Sequence, residues 1–185
     1  MDVVKANDIA AILTSVAAYG GQLAAVFHHY AIIAEKIPSG FEGAINILDA
    51  TVAVIKQVLS LVKDEAEGKK LFNQDGLTYV QLLAQECANT LAKVEPIIAE
   101  ACLERKDRKA KRKQSKKAAS KKLVTEIDAL ALKLDEKDFL ENVETTRWTW
   151  ASDDIEKCME RLYDLQLHLL LIFEVVKVGS LSKDL

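Results

Sequence analysis

Apolar residues along this chain recur at steps of three and four and group into five segments. In the first, Ile9, Ile12, Leu13, Val16, Leu23, Phe27, Tyr30 and Ile33 share one side of a 3.6-residue period. That pattern predicts a helix from an Asn7 cap to Glu35. Pro38 stops it, because proline lacks the backbone N–H a continuing helix needs. Ser39 and Glu42 then stand at capping-box spacing, opening a second helix. Phe41, Ile45, Leu48, Val52, Ile55, Leu59 and Val62 form its stripe, which closes near Gly68. Asn73, Gln74, Asp75 and Gly76 supply turn chemistry before a third helix, which starts near Asp75. Its inner positions are Leu77, Val80, Leu83, Cys87, Leu91, Val94 and Ile98, with a bend expected at Pro96.

The stripe lapses between Arg105 and Lys122, a stretch read as frayed helix or linker. A fourth helix resumes near Ser120 with Leu123, Ile127, Leu130 and Leu134. It continues past the charged positions 135–138 through Phe139, Leu140 and Val143. The fifth starts at Ser152 or Asp153, with Asp153 and Glu156 as its box. Ile155, Met159, Leu162, Leu165, Leu169, Ile172 and Val176 face inward, and Gly179 is its expected C-cap. Long amphipathic helices joined by short loops predict an all-α fold, a bundle of four to five long antiparallel helices. Residues 1–185 are read as one domain, with an apolar helix at 1–35 and a basic linker at 105–122.

The first helix departs from an ordinary surface helix. No Asp, Glu, Lys or Arg occurs from Ile9 to Ala34, although 29% of the whole chain is charged. As a helix this run measures about 39 Å, against about 30 Å for a bilayer core. Its non-core face, Ala11, Thr14, Ser15, Ala18, Gln22 and Ala25, is small and faintly polar where Lys and Glu are usual. Ala17, Gly21 and Ala25 repeat at four-residue intervals, a row that lets helices approach closely in lipid. Two accounts fit these residues: a central helix covered on both sides, or a segment that also suits lipid. Gln22, His28 and His29 are polar for a lone span and better placed against other helices in an oligomer. No other stretch is read as a span. The opening Met1–Lys5 has no net positive charge, which argues against a secretory leader.

Charge sharpens the second account. The net charge of −3 conceals eleven basic side chains and one acid between Arg105 and Lys122, in an otherwise acidic chain. The block reads as a solvated linker, a nucleic-acid site or a membrane-surface patch. Nucleic acid is disfavoured, because no aromatics interleave with the basic residues. Lys106, Arg108, Lys109, Lys111, Arg112, Lys113, Lys116 and Lys117 would contact anionic lipid.

Candidate chemistry adds little. Cys87, Cys102 and Cys158 are widely spaced and read as buried thiols. His28 and His29 are adjacent and point about 100° apart on a helix, so they do not form a metal pair. His168 stands alone. Trp148 and Trp150 suit either a bundle end or a membrane interface. With no nucleophile signature or phosphate loop, an enzyme, a cofactor or a metal is not expected.

The segment Leu77-Thr-Tyr-Val-Gln-Leu-Leu-Ala-Gln-Glu-Cys87 resembles the third helix of fungal HeLo-like domains. Arg147-Trp148-Thr149-Trp150, followed by Asp154-Ile155-Glu156-Lys157 and the run Leu162–Leu171, is similar to their ending. The apolar opening and the basic stretch also fit. The resemblance implies an architecture like the four-helix bundle of the animal necroptosis effector. It implies a death-inducing module, cytoplasmic at rest and at the plasma membrane when active. Clustering would free the N-terminal helix to insert and permeabilise. The expected partners are anionic membrane lipids, further copies of the chain, and an upstream NLR-like or amyloid-motif signalling protein. The inserting residues would be Ile9, Ile12, Leu13, Val16, Ala17, Gly21, Leu23, Ala25 and Phe27. The rival is a pure interaction module that never enters lipid.

Overall fold

A computed structural model of the protein describes residues 5–34, 37–38, 40–102, 128–145 and 148–181, less the side chains of residues 102, 145, 148–150 and 181. These residues form helices and no strand, an all-α bundle as the apolar periods predict. Helix α1 (Ala6–Ile33) buries Ile9, Leu13, Val16, Gly20, Leu23, Phe27 and Tyr30 at alternating steps of four and three. It ends where Ala34 turns extended, four residues before Pro38.

Helix α2 (Phe41–Ala66) is capped by Gly40 at φ 79°, and no side chain accepts a bond from its first turn. The chain reverses through a left-handed residue, which glycine adopts without steric cost. Ser39 itself lies outside the described residues, and Glu42 is exposed. The far end of α2 closes as a Schellman motif around Gly68 (φ 98°). Lys69 N–H donates to Asp64 O (3.1 Å) and Gly68 N–H to Glu65 O (2.9 Å). The Glu65 carboxylate also accepts from the backbone N–H groups of Leu71 and Phe72, fixing the following loop.

Asn73 caps α3 (Gln74–Leu91), its side chain accepting from Gly76 N–H at 2.7 Å. Pro96 splits the third segment instead of bending it. Helix α4 (Val94–Cys102) restarts after Ala92 and Lys93, with Lys93 N–H turned back to Thr90 O (3.2 Å). Pro96 thereby falls in the first turn of α4, where a missing N–H goes unneeded.

The fourth segment is not one helix either. Asp128 caps a single 3₁₀ turn, Ala129–Ala131, by accepting from Leu130 N–H. Residues 132–135 are non-helical. Asp135 then accepts from the N–H groups of Lys137 (3.2 Å) and Asp138 (3.1 Å), opening α5 (Glu136–Thr145). Two aspartates placed as caps outcompete continuation of the helix. Leu123 and Ile127 lie outside the described residues.

Helix α6 (Trp148–Leu181) starts before Ser152, so Asp153 and Glu156 stand inside it and do not cap it. It also runs through Gly179, the expected terminus. Ile155, Cys158, Met159, Leu162, Leu165 and Leu169 are buried, whereas Ile172 and Val176 are only half-buried.

The long helices pack as a ring in the order α1, α2, α6, α3. Phe27 against Phe41 and Gly20 against Val52 make α1 and α2 antiparallel. Tyr79 against His168 and Glu86 against Arg161 do the same for α3 and α6. Helix α5 and the 3₁₀ turn lie against α1 beside this ring, where Phe139 stacks on Phe27 (6.1 Å between centroids), and α4 packs on α5 and α6.

Candidate functional site

Two helices among the described residues, α1 and α2, are long and apolar enough to cross a bilayer. The expectation of a single span in α1 therefore needs correction. Charges in α2 are spaced so widely that an 18-residue stretch holds no more than two of them. Core helices and membrane spans share these properties, so the arrangement of the two helices carries the interest.

The sequence-predicted inserting residues divide into two groups. Ile9, Leu13, Val16, Ala17, Leu23 and Phe27 are buried, while Ile12 is half-buried. Along the small row, Ala17 is buried, Gly21 half-buried and Ala25 exposed. A Cβ added to Gly21 would meet nothing within 4 Å, so this row makes no resting helix contact there. The close approach is one residue earlier. A Cβ on Gly20 would lie 2.9 Å from Val52 Cγ2 and 3.4 Å from Leu91 Cδ1. Gly20 thus lets α1 pack tightly on α2 and α3, a role the four-residue row did not reveal.

Most of the outer face of α1 is open to solvent. Ala11, Thr14, Ala18 and Ala25 are exposed, and Ser15 and Gln22 are half-buried. Its hydroxyls are turned inward: Thr14 donates to Ala10 O at 2.7 Å and Ser15 to Ala129 O at 2.6 Å. Thr14 thereby presents its methyl group on a surface already free of charge. On the neighbouring side Tyr19 donates to Glu95 Oε2 at 3.3 Å, tying α1 to α4.

The α1–α2 end carries a second feature. His28 Nε2 donates to Asp49 Oδ2 at 2.7 Å, joining the two helices on their exposed side. Ile32 is 82% exposed, and Ile33 and Ile37 are also open to solvent. Below them Phe27, Tyr30 and Phe41 form an aromatic cluster, with Tyr30 and Phe41 edge-on at 5.3 Å. An apolar groove of 390 Å³ opens beside this end, between Gly40, Gly43, Ala44 and Ile47 of the α2 entry and Ile155 and Met159 of α6.

Other candidates fall away from this flank. The basic positions Lys106, Arg108, Lys109, Lys111, Arg112, Lys113, Lys116 and Lys117 lie outside the described residues. So do the side chains of Trp148, Trp150 and Cys102. Cys87 and Cys158 are free and buried. Burial pushes the Cys87 thiol up to about 12, which suppresses the reactive thiolate at neutral pH. His168 is exposed and sits 2.7 Å from Tyr79 Oη. Among the described residues no three His, Cys, Asp or Glu side chains gather as metal ligands.

The fold and this flank define an α-helical bundle with an apolar, antiparallel helix pair on one side. No family model matches the chain, and no curated protein or solved structure does so either.

Proposed function

We propose that this protein is a HeLo-like, membrane-targeting bundle that induces cell death by inserting α1 and permeabilising the plasma membrane on oligomerisation. The observation that carries the reading is the outer face of α1, which is exposed yet carries no charge. A helix face meant only for water usually displays Lys and Glu. The resemblance to HeLo-like domains points the same way. Anionic lipid would be held by the basic positions from Lys106 to Lys117, each adding up to about 1 kcal/mol near the surface.

At rest α1 stays docked. Withdrawing each of Ile9, Leu13, Val16, Leu23 and Phe27 costs about 1.5–3 kcal/mol until lipid receives it. Clustering, or a signalling partner, supplies the offset. In the oligomer Gly21 and Ala25, which are open along α1, would join Ala17 at helix–helix contacts.

A second reading, an interaction and oligomerisation module without insertion, is favoured by one feature. Leu167, Leu171, Val175 and Val178 form an exposed apolar stripe on the distal half of α6. Vesicles separate the two. The membrane reading expects dye release from anionic vesicles and little from neutral ones. Vesicle binding without release would leave the interaction module, and salt-sensitive DNA binding tighter than lipid binding would point to nucleic acid.

A further inference from the structure

We infer that the inserting unit is the α1–α2 hairpin rather than α1 alone, and that it enters lipid with its isoleucine-rich tip leading. The inference rests on the membrane reading above and specifies its moving part. Three observations carry it. First, α2 shares with α1 the length and apolarity of a span, and the two are antiparallel neighbours joined through residues 34–40. A helix that leaves the bundle alone would strip the partner that its Gly20 side fits most closely.

Second, the charged groups of α2 fall where an inserted hairpin tolerates them. Residues 41–60 of α2 would span about 30 Å. Glu42 then lies at the leading end, and Lys56 lies within about 6 Å of the trailing end, near enough for its stem to carry the ammonium to the interface. Asp49 is left as the mid-span charge. It is the one held by α1, through the 2.7 Å contact with His28. A charged group inside a membrane persists when paired, and the His28 imidazole meets this carboxylate within the unit.

Third, the tip holds exposed apolar side chains. Ile32, Ile33 and Ile37 project at the end where α1 passes into α2, and the intervening Glu35 and Lys36 sum to zero charge. In the resting bundle α2 is also bound to α6, Thr51 donating to Gln166 Oε1 at 3.4 Å. That boundary, not the α1–α2 interface, is the one predicted to open.

Two cross-links decide between the alternatives. A disulfide across the Gly20–Val52 approach (G20C/V52C) ties α1 to α2, and a short thiol cross-link at the Thr51–Gln166 contact (T51C/Q166C) ties α2 to α6. Dye release from phosphatidylcholine–phosphatidylserine vesicles is compared for each linked and unlinked form, with helicity checked by circular dichroism. The hairpin predicts that the first link leaves release within about twofold of the unlinked protein and the second lowers it at least about tenfold. The surface change Asp49→Lys, which leaves the core intact, should also lower release at least about tenfold. Block by the first link, or full release with the second link or with Asp49→Lys, overturns the hairpin and leaves insertion of α1 alone. A wild-type chain that releases no dye overturns the membrane reading and the hairpin together.

Discussion

Helices α1 and α6 lay their inner faces into the same core, yet their outer faces differ in kind. Along the first half of α6, Asp153, Asp154, Glu156, Lys157, Glu160 and Arg161 face water. Lys157 pairs with Asp154 at 3.1 Å and Arg161 with Glu86 at 3.3 Å. Further on, outward Leu167, Leu171 and Val175 are still interrupted by Asp164, Glu174 and Lys177. Along α1 no Asp, Glu, Lys or Arg breaks the surface from Ile9 to its end, where His28 and His29 are exposed. Packing in this bundle therefore does not call for a charge-free outer face, since α6 folds with a charged one. The proposed insertion of α1 would account for its bareness.

If that contrast is right, inner-face substitutions act alike on both helices and outer-face substitutions do not. The largest effect is expected in the core. Phe27 is fully buried between Phe41 and Phe139, and Leu162 is its counterpart in α6. Phe27→Ala should cost about 3–5 kcal/mol and Leu162→Ala about 2–5 kcal/mol, both read from urea unfolding. A much smaller cost at Phe27 would mean that α1 is loosely docked, breaking the symmetry of the two inner faces.

Neighbouring glycines on α1 give a finer test. At Gly20 an added methyl meets the stiff Val52 side chain at 2.9 Å, whereas beside Gly21 the space is open. Gly20→Ala should destabilise by about 1 kcal/mol, as overpacking outweighs the gain in helix propensity. Gly21→Ala should stabilise by about 0.5–1 kcal/mol. Opposite signs in thermal unfolding would confirm which side of α1 is packed. The smallest effect belongs to the outer face of α6. Arg161→Ala removes an exposed ion pair with Glu86 and should change stability by less than about 1 kcal/mol.

Much of this architecture was legible in the chain because helix period and face are local properties. The steps among Ile9, Leu13, Val16, Leu23 and Phe27 place the buried side of α1, and Ala11, Thr14, Ala18 and Ala25 fall outside as expected. Asn73 caps α3 within the expected turn. What escaped depends on competition or on distance. Asp128 and Asp135 divide a segment whose leucine spacing alone predicts one helix, because caps and helix interior compete for the same backbone N–H groups. The left-handed reversal at Gly40 is a backbone feature that no apolar period announces. The Gly20–Val52 approach and the His28–Asp49 pair join residues far apart in the chain, and a period says which face is buried but not what covers it. The basic positions around Lys111 stay a reading of charge alone.

The outward side of α1 offers the most direct measurement. Ala18 and Ala25 are exposed, so Ala18→Glu with Ala25→Glu adds charge without touching the core. Stability should stay within about 0.5 kcal/mol of wild type for each change. A charge near the middle of a span costs about 2.5–3.5 kcal/mol, so release from anionic vesicles should fall at least about tenfold. A doubly substituted protein that folds and releases dye at the wild-type rate would contradict insertion of α1.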